Sequence, residues 1–481
     1  MKFFSKYIFI GLSMILFSCD ENSDETSETN LPSQKGTSLT NKTEEISEPI
    51  FEKGLVKGKV VFEFKIDGKT EGDIAYYIPT EVEPSSVLIL LDAQARGFLP
   101  IVRYRELADK FGFILIGSNI SENGYPYPQT QEHFTIVKNW VDQEFVSLTD
   151  KVHLGGFSGG ARVAGWLAFD FNFPSIFGCA AGVPNNDKEI INDKFFYGTT
   201  STLDFNYREL NSLTEGFLAL NHFVSIVEGY HDWVDFEEME LIFKWLKMNE
   251  MRLGKTEQNT ELVTNWLNDY KGKLVTISNN TDIPIEIRYN AITKGSALFH
   301  DVLDISFFEK EKINFRESKS WGSLSKNRSI ANYAEGSWTA KFGNSLDGEN
   351  PIPVWNQYID EVNIEIENAP NSITERGLKR IFSFVSLVGF LKMADSFEKE
   401  NFDEAKGYMA LVERVHPTNA DIFYYKALFA IKESDITKAK EFLFEAVKNG
   451  FSNYRKLQNQ SEFSNLNISE LVKDIKTQKY N

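Results

Sequence analysis

A chain of 481 residues is too long for one ordinary domain, so two or three are expected. Apolar residues make up 42% of it and aromatic residues 14%, enough to fill real cores. The formal charge of −18, with no basic stripe carrying interleaved aromatics, excludes a nucleic-acid partner on electrostatic grounds.

The chain opens "MKFFSKYIFIGLSMILFSC": two lysines, an apolar stretch from Tyr7 to Phe17, then Ser18 and Cys19. That stretch is too short to span a bilayer and reads as a secretory signal over residues 1–18. Its end, "LFSC", resembles the lipobox of bacterial lipoproteins. The resemblance implies a lipidated Cys19 and a place in the bacterial cell envelope, at the periplasmic face or the cell surface, with acyl chains holding the body at the membrane. Cys179, in "FGCAAGV", is the only other cysteine. With Cys19 lipidated no intramolecular disulfide can form, and Cys179 reads as a small buried apolar residue. Residues 19–50, rich in Ser, Thr, Asn and Glu, cannot bury enough surface to order themselves and read as a tether.

Residues 51–250 have another texture. "KVVFEFKIDGKTEGDIAYYIPTE" holds two β-rich runs around Asp67-Gly68, a hairpin pattern. Short runs that are apolar at nearly every position follow: "SVLILLD", "FGFILIGSN", "VHLGGFS", "FGCAAGV", "KFFYGTT" and "FVSIVEG". Such runs suit strands covered on both faces, and helical patterns lie between them. The expectation is an α/β domain with a doubly wound, mostly parallel sheet, closed by the amphipathic helix "DFEEMELIFKWLKMN". Residues 251–385 read as helical and irregular. In 386–481 the segments "FEKENFDEAKGYMALVERVHP" and "AIKESDITKAKEFLFEAVKNGF" align at a 34-residue period, Ala405 over Ala439. That period, with Ala427, Ala446 and Pro417, resembles the tetratricopeptide repeat, so an all-α helical-repeat region is expected to end the chain.

"HLGGFSGGARVAGW" carries the chemistry. An apolar run breaks at Gly-Phe-Ser-Gly-Gly and resumes as a helix, which holds Ser158 on a tight strand-to-helix corner. Side chains at Gly156 and Gly160 would strike the adjoining strand and helix, and the Gly159 N–H at the helix start points at a developing oxyanion. A serine hydroxyl is a weak nucleophile and needs a base, which in turn needs an orienter. In strand–turn–helix hydrolases these follow in the order Ser, acid, His. Four histidines follow Ser158. His416 lies in the repeat, His300 in the helical region and His222 at the wrong end of its strand. His231, in "EGYHDW", follows the carboxyl end of that strand, where parallel sheets place their sites. Asp204, in "TLDFNYREL", sits past the preceding strand; it reads as the acid or as a helix N-cap, with Glu228 and Asp235 as competitors. The second oxyanion donor is expected in "LDAQARGFLP", from the N–H of Gln94 or Ala95.

Residues from about 75 to 248 resemble the α/β-hydrolase superfamily, in the esterase branch that includes polyhydroxybutyrate-depolymerase-like, feruloyl-esterase-like and dienelactone-hydrolase-like proteins. The resemblance rests on "GGFSGGARVAGW", "TLDFNYREL" and "EGYHDWVDFEEMELIFKWL". It implies a serine esterase, or carboxylic ester hydrolase, with a Ser158–Asp204–His231 triad, acting on a small-molecule or carbohydrate-linked ester without metal or organic cofactor. Where relatives often have His-Gly in the oxyanion loop, this chain has Gln94-Ala95. Arg96, Tyr230 and Trp233 are candidate substrate contacts, and Trp166 suits a pocket wall or the core. The repeats are a candidate surface for a protein partner. Two rivals remain: a weak or inactive hydrolase-fold scaffold working through its repeats, and a serine peptidase on the same fold.

Overall fold

The continuous apolar runs become strands covered on both faces. The computed structural model describes residues 54–66, 74–182, 194–216, 221–346, 348 and 351–477; the signal, Cys19, the tether and the Asp67-Gly68 turn lie outside the described residues. The α/β part comprises β1 (Val61–Phe64), β2 (Ile74–Tyr77), β3 (Ser86–Asp92), α1 (Phe98–Phe111), β4 (Phe113–Ser118), α2 (Tyr127–Glu144), β5 (Val152–Phe157), α3 (Gly159–Asp170), β6 (Ser175–Cys179), β7 (Phe195–Ser201), α4 (Tyr207–Gly216), β8 (His222–Val227) and α5 (Phe236–Arg252). The strands form one eight-stranded sheet in the order β1-β2-β4-β3-β5-β6-β7-β8. β1 pairs antiparallel with β2, as the hairpin pattern requires, and β2 pairs antiparallel with β4. All other pairings are parallel, with Ile89 of the central β3 opposite Ile116 on one side and Leu154 on the other.

The pleat sends alternate residues of β3 into two cores. Val87, Ile89 and Leu91 pack with Phe134, Trp140 and Leu167 from α2 and α3. Leu88 and Leu90 face the other way, with Leu107 of α1 and Ile242 and Leu246 of α5. A parallel sheet needs this double cover, because both of its faces are largely apolar.

Eleven more helices are described: α6 (Thr260–Asn279), α7 (Ile285–Phe299), α8 (Ser306–Glu317), α9 (Lys319–Ser345), α10 (Pro351–Glu367), α11 (Ser372–Glu398), α12 (Phe402–Val415), α13 (Ala420–Lys432), α14 (Ile436–Lys448), α15 (Tyr454–Asn459) and α16 (Ser469–Thr477). The expected division at 385/386 falls inside α11, a single helix of 27 residues. Most buried side chains of the helical part, among them Phe308, Trp355 and Leu428, continue the cluster on the α1/α5 face, and Leu324, Ala331 and Ile373 form a small cluster of their own. The helical part also covers the edge of the sheet. Asn290 of α7 accepts from Ile226 N at 2.8 Å and donates to Val224 O at 2.7 Å, standing in for a ninth strand on β8.

The 34-residue period appears in the turns. Glu400 and Ser434, 34 residues apart, both take positive φ, at 59° and 61°. Each is followed by the residue that caps the next helix, Asn401 before α12 and Asp435 before α14. Ala405, Ala427, Ala439 and Ala446 are buried, which lets the helix pairs approach closely. The chain then returns to the sheet. Tyr454 donates its hydroxyl to Glu63 at 2.9 Å and packs against Phe62 and Phe98. Among the described residues no helix is long and apolar enough to cross a membrane.

A buried polar knot closes the amino edge of the sheet. Ser86 Oγ donates to Glu250 Oε1 at 2.5 Å, and His153 Nε2 lies 2.9 Å from the same oxygen. Burial holds His153 below the ordinary histidine range, against the opposing pull of Glu250. Burial lowers His300 too, helped by Arg252, and it lowers His416. A histidine whose pKa is lower folded than unfolded binds fewer protons in the native state, so its contribution to stability is whole above the unfolded value of about 6.5 and is lost as pH falls below it. Urea unfolding should therefore give a midpoint that declines between pH 7.5 and 5, above the range where carboxylates titrate. A His153→Gln variant should show a shallower decline; a midpoint rising over that interval contradicts this account.

Candidate active site

β5 ends at Phe157, and the chain turns at Ser158 with φ 54° and ψ −123° before α3 begins. A non-glycine residue in that region carries about 1–3 kcal/mol of strain and persists only where its surroundings hold it. The hold here is close backbone approach. A Cβ on Gly156 would lie 2.4 Å from Gly160 O, and one on Gly160 would lie 2.2 Å from Leu91 O in β3. Ser158 N donates to Cys179 O of β6 at 2.8 Å, fixing the corner from the other side. The Gly159 N–H, first in α3, has no acceptor within its helix.

His231 Nε2 stands 2.9 Å from Ser158 Oγ, and its Nδ1 stands 2.9 Å from Asp204 Oδ1. The three residues come from loops after β5, β7 and β8, all at the carboxyl edge of the sheet. The imidazole is flanked by Phe157, with ring centroids 5.0 Å apart, and Phe205, at 4.2 Å. Asp204 is fully buried. Its Oδ1 also accepts from Asn206 N at 2.8 Å, so it meets the turn into α4 as well as the histidine. The competing acids are placed elsewhere: Asp235 caps α5 through Glu238 N, and Glu228 is exposed.

The loop after β3 departs from expectation. Gln94 N donates to Asp92 Oδ1 at 2.9 Å and Ala95 N to Asp92 O at 3.1 Å, so both expected oxyanion donors are turned onto Asp92. Arg96 also differs from its expected role as a substrate contact. Its Nε and Nη2 grip the Asp92 carboxylate at 2.8 and 3.0 Å, and its Nη1 donates to Ser452 Oγ at 2.8 Å. Trp233 is 2% exposed and donates Nε1 to Asp92 Oδ2 at 2.9 Å, which removes it from any pocket wall. Gln94, Arg96 and Trp233 share one reason, since Asp92 ends β3 fully buried and its carboxylate recruits the donors in reach, while Ala95 N closes a backbone turn on Asp92 O. Tyr230, 68% exposed beside His231, remains open to a ligand. Trp166 is half-buried against Tyr127. Cys179 is buried, its thiol pushed up to about 12, and is inert.

Two residues near the corner escaped the sequence reading. Asp92 looked like the last letter of an apolar strand; only its burial reveals the demand for donors. Asn123 lies on the loop after β4, and its amide sits against Gly159, where a Cβ would come within 1.7 Å of Asn123 Oδ1. No spacing rule links residue 123 to residue 159. Among the described residues, no group of three or more His, Cys, Asp or Glu side chains is placed to hold a metal ion.

A strained serine between strand and helix, on a sheet of this order with Asp and His beyond the next strands, defines the α/β-hydrolase fold. Among solved structures, the chain is similar to S-formylglutathione hydrolase from Staphylococcus aureus, at 18% identity over 36% of this chain and 89% of that one, TM-score 0.30. It is similar to an α/β serine hydrolase without a lid from Xanthomonas campestris, at 14% identity over 42% and 97%, TM-score 0.31. It is also similar to acetyl xylan esterase from Aspergillus awamori, at 12% identity over 38% and 97%, TM-score 0.28. No protein-family model and no curated protein matches the chain.

The Arg96–Asp92 pair gives a direct test. Removing one partner of a buried ion pair typically costs about 3–5 kcal/mol, because it strands the other charge. Arg96→Ala should lower the free energy of unfolding by about that amount in a urea titration; a stable variant altered only in KM would instead make Arg96 a substrate contact.

Proposed function

We propose that the chain is a serine hydrolase of carboxylic esters. The observation that carries the reading is the unbroken hydrogen-bond relay from Ser158 through His231 to Asp204, set on a strained corner. Ser158 Oγ attacks the ester carbonyl carbon as His231 Nε2 takes its proton, giving a tetrahedral oxyanion that the Gly159 N–H faces. The C–O bond to the alcohol then breaks, and the alcohol leaves with the proton from Nε2. Water repeats the sequence on the acyl-enzyme, releasing the acid and restoring Ser158. Asp204 accepts Nδ1–H, fixes the tautomer and stabilises the imidazolium. Tyr230 lines the approach to the serine.

The reading extends to location. The "LFSC" resemblance supports a lipid on Cys19, with residues 19–50 as a tether between membrane and body, and the 34-residue period supports a tetratricopeptide-like surface able to take a protein partner. One observation favours a second reading: with Gln94 and Ala95 turned onto Asp92, the body could serve as a scaffold with little turnover of its own.

A fluorophosphonate probe separates the two. Wild type should label at one serine and Ser158→Ala should not; absence of label on both would favour the scaffold. On a panel of aryl and carbohydrate esters, Ser158→Ala should lower kcat by about 10⁶-fold and Asp204→Asn by about 10⁴-fold. Preference for peptide amides over esters would move the assignment to a peptidase.

A further inference from the structure

We propose that the side-chain amide of Asn123 is the second donor to the oxyanion formed at Ser158, in the place the β3 loop leaves vacant. This rests on the acyl-enzyme reading above. A tetrahedral oxyanion needs two preorganised donors in most acyl-transfer sites. The Gly159 N–H supplies one, while the N–H groups of Gln94 and Ala95 both serve Asp92.

Asn123 is placed by its backbone. Its N–H donates to Ala93 O at 2.8 Å, Gln94 and Glu122 form an antiparallel bridge beside it, and Tyr125 N closes the turn on Glu122 O at 3.1 Å. The base of the same loop is held from the helical region by Arg455, which donates to Asn119 O at 2.7 Å. These ties deliver the amide to the residue that follows the nucleophile. A Cβ on Gly159 would lie 1.7 Å from Asn123 Oδ1 and 3.3 Å from Nδ2, so only glycine at 159 admits the amide there. The Asn123 amide makes no hydrogen bond within the described protein. A half-turn about its terminal torsion, which is broad and two-fold for asparagine, exchanges oxygen and nitrogen and presents the NH₂ to the same spot. The loop after β4 thus does what the loop after β3 does in an arrangement where the first donor loop is free.

The measurement is the rate of fluorophosphonate labelling of the full chain, since phosphonylation of Ser158 builds charge on the same oxygen position. Asn123→Ala and Asn123→Asp should each slow labelling about 100-fold, the aspartate at least as much as the alanine because it offers no amide donor and repels the developing charge. Thermal unfolding of both should match wild type, since the side chain is exposed and unbonded. Gly159→Ala, which displaces the amide, should slow labelling alone but add little in the Asn123→Ala background. Labelling of Asn123→Ala within threefold of wild type, or full-rate labelling of Asn123→Asp, overturns the proposal while leaving Ser158 as nucleophile. Wild type that labels no faster than Ser158→Ala brings down the acyl-enzyme reading itself, and this inference with it.

Discussion

The buried carboxylate of Asp92 is the constraint around which the carboxyl edge of the sheet is arranged. It accepts from Gln94 N, from Arg96 through two nitrogens and from Trp233 Nε1. Each donor belongs to a segment that matters for the site. Gln94 and Arg96 shape the loop after β3, and Trp233 follows His231 by two residues, so its anchorage limits where the imidazole can go. A carboxylate buried without such partners would cost several kcal/mol, which makes the four-donor cage a requirement once an aspartate ends the central strand. The same requirement turns the Gln94 N–H inward, and the Ala95 N–H is taken up by the backbone carbonyl of Asp92.

The helical region touches the site loop by loop. Arg96 reaches Ser452 beyond the loop after β3, Arg455 holds Asn119 after β4, and Arg380 donates to Thr202 O at 2.8 Å while Ser383 donates to Leu203 O at 2.9 Å after β7. The last two contacts sit directly upstream of Asp204. Arg380 is itself locked by the buried carboxylate of Glu335, 2.6 Å away, and lies 4.1 Å over the ring of Tyr207. Loops are ordinarily the mobile part of an α/β fold. Here three of them are pinned by two arginines and two serines that lie 178 or more residues later in the chain. The helices therefore have a structural role at the site.

How far the sequence reveals this depends on whether the information is local. The six parallel strands were legible because two-sided burial writes a continuous apolar run, and Ser158, Gly156 and Gly160 were legible because close backbone approach demands glycine at fixed offsets. His231 and Asp204 followed from chain order and the ends of strands. The β2–β4 pairing, the inward turn of Gln94 and Ala95, and the burial of Arg96 and Trp233 were not legible, because each is decided by a partner distant in sequence. The boundary expected at 385/386 falls within one unbroken helix, whose residues 372–398 pass from covering the Asp204 loop to pairing with α12.

The division between rigid and adjustable parts then follows from where the strain lies. Ser158 is held in an unfavourable backbone conformation by contacts that cannot relax, since carbonyls of β3 and α3 stand where Cβ atoms at 160 and 156 would be. His231 is held by softer means, aromatic contact with Phe157 and Phe205 and one hydrogen bond at each ring nitrogen. That asymmetry leaves the serine fixed by backbone contacts and the imidazole placed by side-chain contacts alone. Phe157 and Phe205 flank the ring at tilted angles, and the shared Oδ1 of Asp204, tied to Asn206 N, fixes where Nδ1 lies.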